Sequence, residues 1–529
     1  MRGCECGMAC LYYSRRRSGC VMMAQVTRSV IRFTMEDLDE FARASHDWSP
    51  LHADASYAYR TPYGARIVYG ALEQLFCLSS LPDREGYTLS SVTAEFVHPL
   101  FVEVDYIIET VSESMEESHF RIYDGERIAA KGKAFFRPGA PSEPNRMEVQ
   151  PKVRKEPIEL SGSDLYKGRQ VNGEYWPLQP SLDIWMERLK LRDKGVGAAQ
   201  AAALMWQTYL AGMVLPGRHS LCNKLTMHFR EQAVIGDAAI NYDAEVIGYD
   251  DRFSKMRARA TLKSQDTLVA ESELHVFLRE PVAEVTVDRI EELLPRSRAL
   301  VGKVAIVMGA SRGFGAAMSL GLAMQGATVL AIYHRSEESM RRLAEMVPAG
   351  CGSIRPYQGD AGDAVWCLEL QKCWDDEFGK PDILVINAGL PILPMTTEVQ
   401  QLERMQQYVA SSFRLTSVPL TVWLKSVAAK QGWSVVLSAE SVTDVPPDYP
   451  HYVAAKSAIE GLAKTVAKRH KGKLLIVRPP RMRTDLSNMP LARHESIMPE
   501  HVAVEVIKRI GNTSAKDGYE ILEGSFRHQ

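Results

Sequence analysis

Tyr452 and Lys456 stand four residues apart in a chain of 529 residues, a spacing that puts both side chains on one face of a helix. A phenol with its ordinary pKa of roughly 10 is a poor acid or base at neutral pH, and a neighbouring ammonium group can lower it and relay its proton. That pair suits proton exchange at a carbonyl, provided a nucleotide can be held nearby. Val304 to Gly315, V-A-I-V-M-G-A-S-R-G-F-G, offers the means. A short β-branched run fits a strand buried on both faces, and Gly309, Ser311, Arg312, Gly313 and Gly315 follow it. Its glycines let the backbone turn tightly and approach a pyrophosphate at the start of a helix. A hydroxyl for the substrate carbonyl is expected after the strand Trp433 to Leu437. Ser438, fourteen residues before Tyr452, is the first choice; Ser441 is the alternative, because the loop Asp444-Val-Pro-Pro-Asp-Tyr-Pro leaves the register open.

A second reactive set lies near the other end. Asp47 and His52 belong to Ser45-His-Asp47-Trp-Ser49-Pro-Leu-His52, and Gly70 opens the apolar helix expected over Gly70 to Ser80. A carboxylate and an imidazole on one turn can hold a water between them, one group taking a proton and the other giving one. The Gly70 N–H, at a helix start, can polarise a thioester oxygen.

These groups need elements to position them. From about Leu300 to about Gly511 the chain resembles the short-chain dehydrogenase/reductase family. The resemblance rests on the glycine loop, Asp360 after a candidate third strand, Asn387-Ala388-Gly389 after Ile383 to Ile386, Tyr452-x-x-x-Lys456, and Pro479 with Thr484. It implies an α/β Rossmann-like, doubly wound parallel sheet. In that family Asp360 would lie beside the adenine, Asn387, Ala388 and Gly389 would border the cofactor, and Pro479 and Thr484 would embrace the nicotinamide. Met308 and Pro480 depart from the family's Thr and Gly. Its helix asparagine has no evident counterpart in Tyr408 to Phe413, which leaves Ser411 or Ser412 for the relay water. The second strand, Thr328 to Ile332, leads into Tyr333-His334-Arg335-Ser336 rather than an acid. With Arg312, the residues His334, Arg335 and Ser336 suit a 2′-phosphate, so NADPH is the expected cofactor.

The N-terminal part resembles the hotdog-fold (R)-specific enoyl hydratases, the MaoC-like family, through Asp47, Pro50 and His52. His46 and Ser49 replace the more usual Gly and Asn. Val92 to Phe96 reads as a strand with a proline-marked edge at Pro99. Leu204 to Leu215-Pro216, Leu225 to Phe229 and Val234 to Asp237 echo Leu72 to Leu81-Pro82, Val92 to Phe96 and Phe101 to Asp105. This repeat predicts an α+β double hotdog, its second copy lacking the Asp-x-x-x-x-His and completing an acyl tunnel. The expected organisation is a disordered extension over 1–23, a first hotdog over 24–137, a linker over 138–157, a second hotdog over 158–282, a linker over 283–298, and the dehydrogenase-like domain over 299–529.

Composition excludes some classes. With 63 basic and 65 acidic residues the net charge is −2, so no general nucleic-acid surface is implied, and no apolar run is long enough to span a bilayer. Cys4, Cys6, Cys10 and Cys20 lack the spacing of a zinc knuckle, so no metal site is expected. The scattered remainder point to a reducing cytoplasm. Arg15-Arg16-Arg17 lies in the same extension, and Met22 or Met23 is an alternative start. The resemblances imply a bifunctional enzyme of fatty-acid-like or polyketide synthesis, reducing 3-oxoacyl thioesters and dehydrating the products, on acyl carrier protein or CoA, as a homo-oligomer. The alternatives are a catabolic hydratase with an (R)-3-hydroxyacyl-CoA dehydrogenase, or a thioester-binding scaffold.

Overall fold

Arg257-Ala-Arg-Ala-Thr-Leu262 alternates charged and apolar residues, and the backbone answers with a strand that buries Ala258, Ala260 and Leu262 while both arginines face out. Patterns of this kind build the first of two units, Met1–Glu280 and Pro281–Gln529. The computed structural model describes residues 24–141, 152–230, 239–264, 266–470, 472–489, 496–511 and 517–526. The extension with its four cysteines, half of the first linker and the Val234 to Asp237 motif lie outside the described residues.

Among its described residues the first unit holds ten strands: β1 (Gln25–Arg32), β2 (Tyr87–Phe96), β3 (Asp105–Ser112), β4 (Glu117–Asp124), β5 (Arg127–Pro138), β6 (Gln170–Tyr175), β7 (Ser220–Phe229), β8 (Ile240–Asp250), β9 (Lys255–Ser264) and β10 (Thr267–Leu278). They form one antiparallel sheet in the order β1-β3-β4-β5-β2-β7-β10-β9-β8-β6. Read inward from either edge, the two halves have the same connectivity, so the sequence repeat is a structural one. The halves meet at β2 and β7, paired from Ser91↔His228 to Glu95↔Lys224. The strand around Val92 is therefore central in the sheet, and Pro99 falls beyond its end, where the missing N–H disturbs no ladder.

A buried helix precedes each central strand: Gly70–Ser79 before β2, and Ala198–Tyr209 before β7. The second is apolar enough to be buried on every side and continues as one π turn, Leu210–Val214. Two further helices, Met35–Ser45 and Gln179–Arg188, are each followed by a left-handed residue, His46 (φ 55°) and Lys190 (φ 48°). The next residue is Asp47 in the first copy and Leu191, fully buried, in the second. The acid of one copy has an apolar counterpart in the other.

The second unit contains β11 (Val304–Met308), β12 (Thr328–Tyr333), β13 (Ser353–Gln358), β14 (Ile383–Ile386), β15 (Trp433–Leu437), β16 (Lys473–Val477) and β17 (Gly518–Leu522). Their order is β13-β12-β11-β14-β15-β16-β17, every pair parallel. Ala305 and Val307 enter one apolar core and Ile306 and Met308 another. This explains why the strand is apolar throughout rather than alternating.

The expected linker over 283–298 is corrected by the structure. Val287–Leu293 is a helix capped by the Thr286 hydroxyl, and Val285 and Ile290 join the second unit's core. Its Glu and Arg residues mask an amphipathic turn. No helix among the described residues is long and apolar enough to cross a membrane.

Candidate active sites

The parallel strands of the second unit all end on one side, and the residues singled out there gather at those ends. Gly309 and Gly313 take φ of 76° and 53°, a conformation that side chains adopt only with strain. A side chain at Gly315 would collide with the Gly309 carbonyl and the Asn387 amide. The N–H groups of Gly309 and Ala310 donate to the Ile332 carbonyl at 3.0 and 2.9 Å. His334, Arg335 and Ser336, just past that strand, thus border the glycine loop, with His334 and Arg335 exposed. Asn387 donates from Nδ2 to the Gly309 carbonyl at 2.9 Å, with Ala388 and Gly389 on the loop that follows. Gly313 abuts the Thr484 side chain. The helix Gly313–Met324 has no side-chain cap, so its first amides suit an anion. These residues fit a dinucleotide.

Two members of the expected cofactor set are engaged elsewhere. Arg312 pairs with Asp485 at 3.0 Å, so its charge is already matched. Asp360 accepts the Gly362 N–H at 2.8 Å and shapes the turn after β13. Pro479, buried after β16, accepts the Glu440 N–H through its carbonyl.

Tyr452 and Lys456 lie on the helix Pro450–Arg469. Lys456 Nζ is 5.7 Å from the centre of the Tyr452 ring and donates to the Leu437 carbonyl at 2.8 Å. Burial raises the phenol above its ordinary range, and nearby Tyr408 adds to this. Burial also lowers Lys456 to about 8, against the opposing charge of Glu460.

Ser438 does not face that pair. It is buried and donates to Glu460 Oε1 at 2.7 Å. Glu460 also takes Arg478 through Nε and Nη2, both at 2.7 Å, and Lys464 at 3.0 Å. Burial would raise this carboxyl, but those donors hold it at about 2. The single Ser438 proton is thus committed, whereas Ser441 opens the short helix Ser441–Asp444 and is only half-buried. Glu460, four residues after Lys456, could have been found from helical spacing; Arg478, just past β16, could not.

Tyr408 meets the His451 ring edge-on at 4.4 Å. His451 is fully buried, neither ring nitrogen has a partner, and burial lowers it to about 4. Ser412, half-buried, is hydrogen-bonded to Tyr408, while Ser411 is exposed.

In the first unit, Asp47 is buried in the turn after Met35–Ser45. Its Oδ1 accepts the Ser49 N–H at 2.9 Å and its Oδ2 accepts the Thr208 hydroxyl at 2.6 Å. Gly212 packs against the carboxyl, leaving no room for a side chain. His52, in Pro50–Ala53, places Nδ1 2.9 Å from the Ile67 carbonyl. A carbonyl only accepts, so Nδ1 carries the hydrogen and Nε2 is left as a base. Tyr69 stacks on His52 at 4.2 Å and donates its hydroxyl to the Asp47 carbonyl at 2.9 Å. Arg66 donates to the His52 carbonyl. Burial is the dominant influence on both groups, raising Asp47 and lowering His52, while their mutual attraction opposes it. Gly70 follows Tyr69 at the head of a helix without a side-chain cap, and a Cβ there would strike the Phe96 ring. The fold thus draws Asp47, His52 and Gly70 together through Tyr69. Tyr69, Thr208 and Gly212 carried no local signal.

Residues 303–492 match the family model described as short chain dehydrogenase. A 3-oxoacyl-[acyl-carrier-protein] reductase of Synechocystis sp. is 31% identical over 221 residues, 39% of this chain and 87% of the relative. An uncharacterized oxidoreductase of Methylorubrum extorquens is 30% identical over 169 residues, 32% of this chain and 67% of its own length. Among solved structures, an alcohol dehydrogenase from Thermococcus sibiricus, complexed with 5-hydroxy-NADP, aligns at 21% identity over 43% of this chain and 98% of its own, with a TM-score of 0.39. The chain belongs to the short chain dehydrogenase family. It is an oxidoreductase of a class that works with a nicotinamide cofactor, and the family match lies within the second unit.

Proposed function

We propose that the chain is bifunctional: the second unit reduces 3-oxoacyl thioesters with NADPH, and the first interconverts (R)-3-hydroxyacyl and trans-2-enoyl thioesters, in fatty-acid-like or polyketide synthesis on acyl carrier protein or CoA. The observation that carries this reading is that each unit holds its own acid–base pair, Tyr452 with Lys456 and Asp47 with His52, and that the two chemistries are consecutive. The Synechocystis relative is named for the first of them.

The bound cofactor would supply the hydride to C3. Arg335, His334 and Ser336 would hold its 2′-phosphate, the first amides of Gly313–Met324 its pyrophosphate, and Lys456 its ribose. Tyr452 gives its proton to the carbonyl oxygen while Ser441 donates a hydrogen bond to that oxygen. The phenol, raised by burial, rests protonated at neutral pH, the form that donates to the carbonyl oxygen in reduction.

In the first unit, the repeat, with a buried helix against each half of the sheet, supports the double hotdog reading. His52 Nε2 takes a proton from water as its oxygen bonds C3, Asp47 returns a proton to C2, and the Gly70 N–H stabilises charge on the thioester oxygen. Dehydration is the reverse. The apolar Leu191 in place of an acid supports a second copy that shapes the site without reacting.

The test is incubation with acetoacetyl-CoA and NADPH, following nicotinamide absorbance and identifying acyl products by mass spectrometry. Wild type should consume NADPH and yield 3-hydroxybutyryl- and crotonyl-CoA. His52→Ala should stop at the 3-hydroxy product, and Tyr452→Phe should consume no NADPH yet still hydrate crotonyl-CoA. Crotonyl-CoA formed undiminished by His52→Ala would overturn the reading of the first unit. NADPH preference unchanged in Arg335→Asp would overturn the cofactor assignment.

A further inference from the structure

The helix Gly70–Ser79 is buried, and its positions i, i+3, i+4 and i+7 fall on one face. In a buried helix that stripe is expected to be apolar. Here it reads Gly70, Glu73, Gln74 and Cys77, while Leu72, Leu75 and Leu78 pack elsewhere around the helix.

Glu73 is 3% exposed and Gln74 0%. Glu73 Oε2 and both polar atoms of the Gln74 amide have no hydrogen-bond partner. A fold that buries three adjacent polar atoms bears their desolvation without return unless something else meets them. The second copy shows the contrast. Gln207 and Thr208 stand as far before Leu215-Pro216 as Glu73 and Gln74 stand before Leu81-Pro82. Gln207 donates to the Thr226 carbonyl at 2.9 Å and the Ser272 hydroxyl at 2.8 Å, and Thr208 donates to Asp47. At matching positions, the second copy spends its amide and hydroxyl donors on the fold and leaves Gln207 Oε1 unmatched, whereas the first leaves Glu73 Oε2 and both Gln74 atoms unmatched.

The unmatched groups lie near the reacting residues. Gly70 is one helical turn before Glu73 and Gln74. Burial alone keeps Glu73 well above the usual carboxylate range. A carboxyl beside a carboxamide offers one small polar group both oxygen acceptors and an N–H donor.

We propose that Glu73 and Gln74 recognise a hydroxyl substituent on the acyl chain, so that the first unit takes hydroxylated trans-2-enoyl and 3-hydroxyacyl thioesters in preference to plain alkyl ones. The inference rests on the reading of Asp47 and His52 as the hydratase pair. One turn of helix advances about 5.4 Å, which puts the recognised hydroxyl a few carbons beyond the double bond. Polar groups placed to bind a substrate hydroxyl discriminate strongly, because a chain without one leaves them unpaired.

The full chain would be assayed for hydration of trans-2-hexenoyl-CoA and of its analogues hydroxylated at carbon 4, 5 or 6. Wild type should favour one hydroxylated analogue at least tenfold in kcat/KM. Glu73→Leu and Gln74→Leu should each lower that analogue and raise the plain chain, reversing the preference, while Glu73→Gln retains part of it. Equal turnover of plain and hydroxylated chains by wild type would overturn the inference and leave the hydratase reading standing. Hydration of none of the four would overturn both. A preference untouched by either leucine variant would place recognition elsewhere and overturn the inference as well.

Discussion

The Thr208 hydroxyl donates to the Asp47 carboxyl at 2.6 Å, and the two residues belong to different copies of the repeat. Asp47 in the first copy is held by the central helix of the second, whose own turn carries Leu191 in the matching place. Loss of the second acid therefore does not make the second copy dispensable.

Thr208→Val should keep the shape of the site and remove this donor. With burial less opposed, Asp47 should titrate higher still. We expect hydration of crotonyl-CoA to fall about tenfold, the usual scale for one buried hydrogen bond, with NADPH oxidation on acetoacetyl-CoA unchanged. Thr208→Ser should restore most of the loss. Equal hydration by wild type and the valine variant would show that the contact is only structural.

The engagement of Ser438 by Glu460 separates the two candidate serines. Ser441→Ala should lower kcat for reduction about a hundredfold or more, as removal of a donor at a developing oxyanion does. Ser438→Ala should chiefly destabilise the second unit, by about 1 kcal/mol. Steady-state kinetics with a denaturant titration distinguish them; the reverse pattern would return the role to Ser438.

Lys456, lowered to about 8 by burial, loses its charge as pH rises through that value. Reductase kcat/KM should therefore decline above about pH 8. Glu460 opposes the lowering, so Glu460→Gln should drop the lysine further and move the alkaline limb to lower pH. A limb that stays in place in a folded Glu460→Gln variant would mean that another group sets it.

His451 makes the second unit sensitive to acid. Its folded pKa is about 4, below its ordinary value near 6.5, so the unfolded chain binds the proton first. Stability is full above pH 6.5 and is lost as pH falls through the window from 6.5 to 4, by on the order of 3 kcal/mol. His451→Leu should flatten that part of the stability profile, read by urea unfolding at several pH values.

Much of this architecture is written locally. The apolar run Val304 to Met308, the glycines after it and the Tyr452–Lys456 spacing specify a parallel strand, a phosphate-ready turn and a two-residue helix face, each a property of a few consecutive residues. The repeat was likewise legible. The linker over 283–298 was misread because Thr286 and Ile290, not the surrounding charges, decide its state.

What the tertiary structure decided was which partner each of those groups has. Whether Ser438 faces a substrate or Glu460, whether Arg312 meets a phosphate or Asp485, and which residue holds Asp47 depend on side chains up to 173 positions apart in sequence. Hydrogen bonds and burial act over a few ångströms in space, and sequence order sets that proximity only within a turn or a strand. The residue types and spacings therefore marked the candidates, and the packing chose their partners.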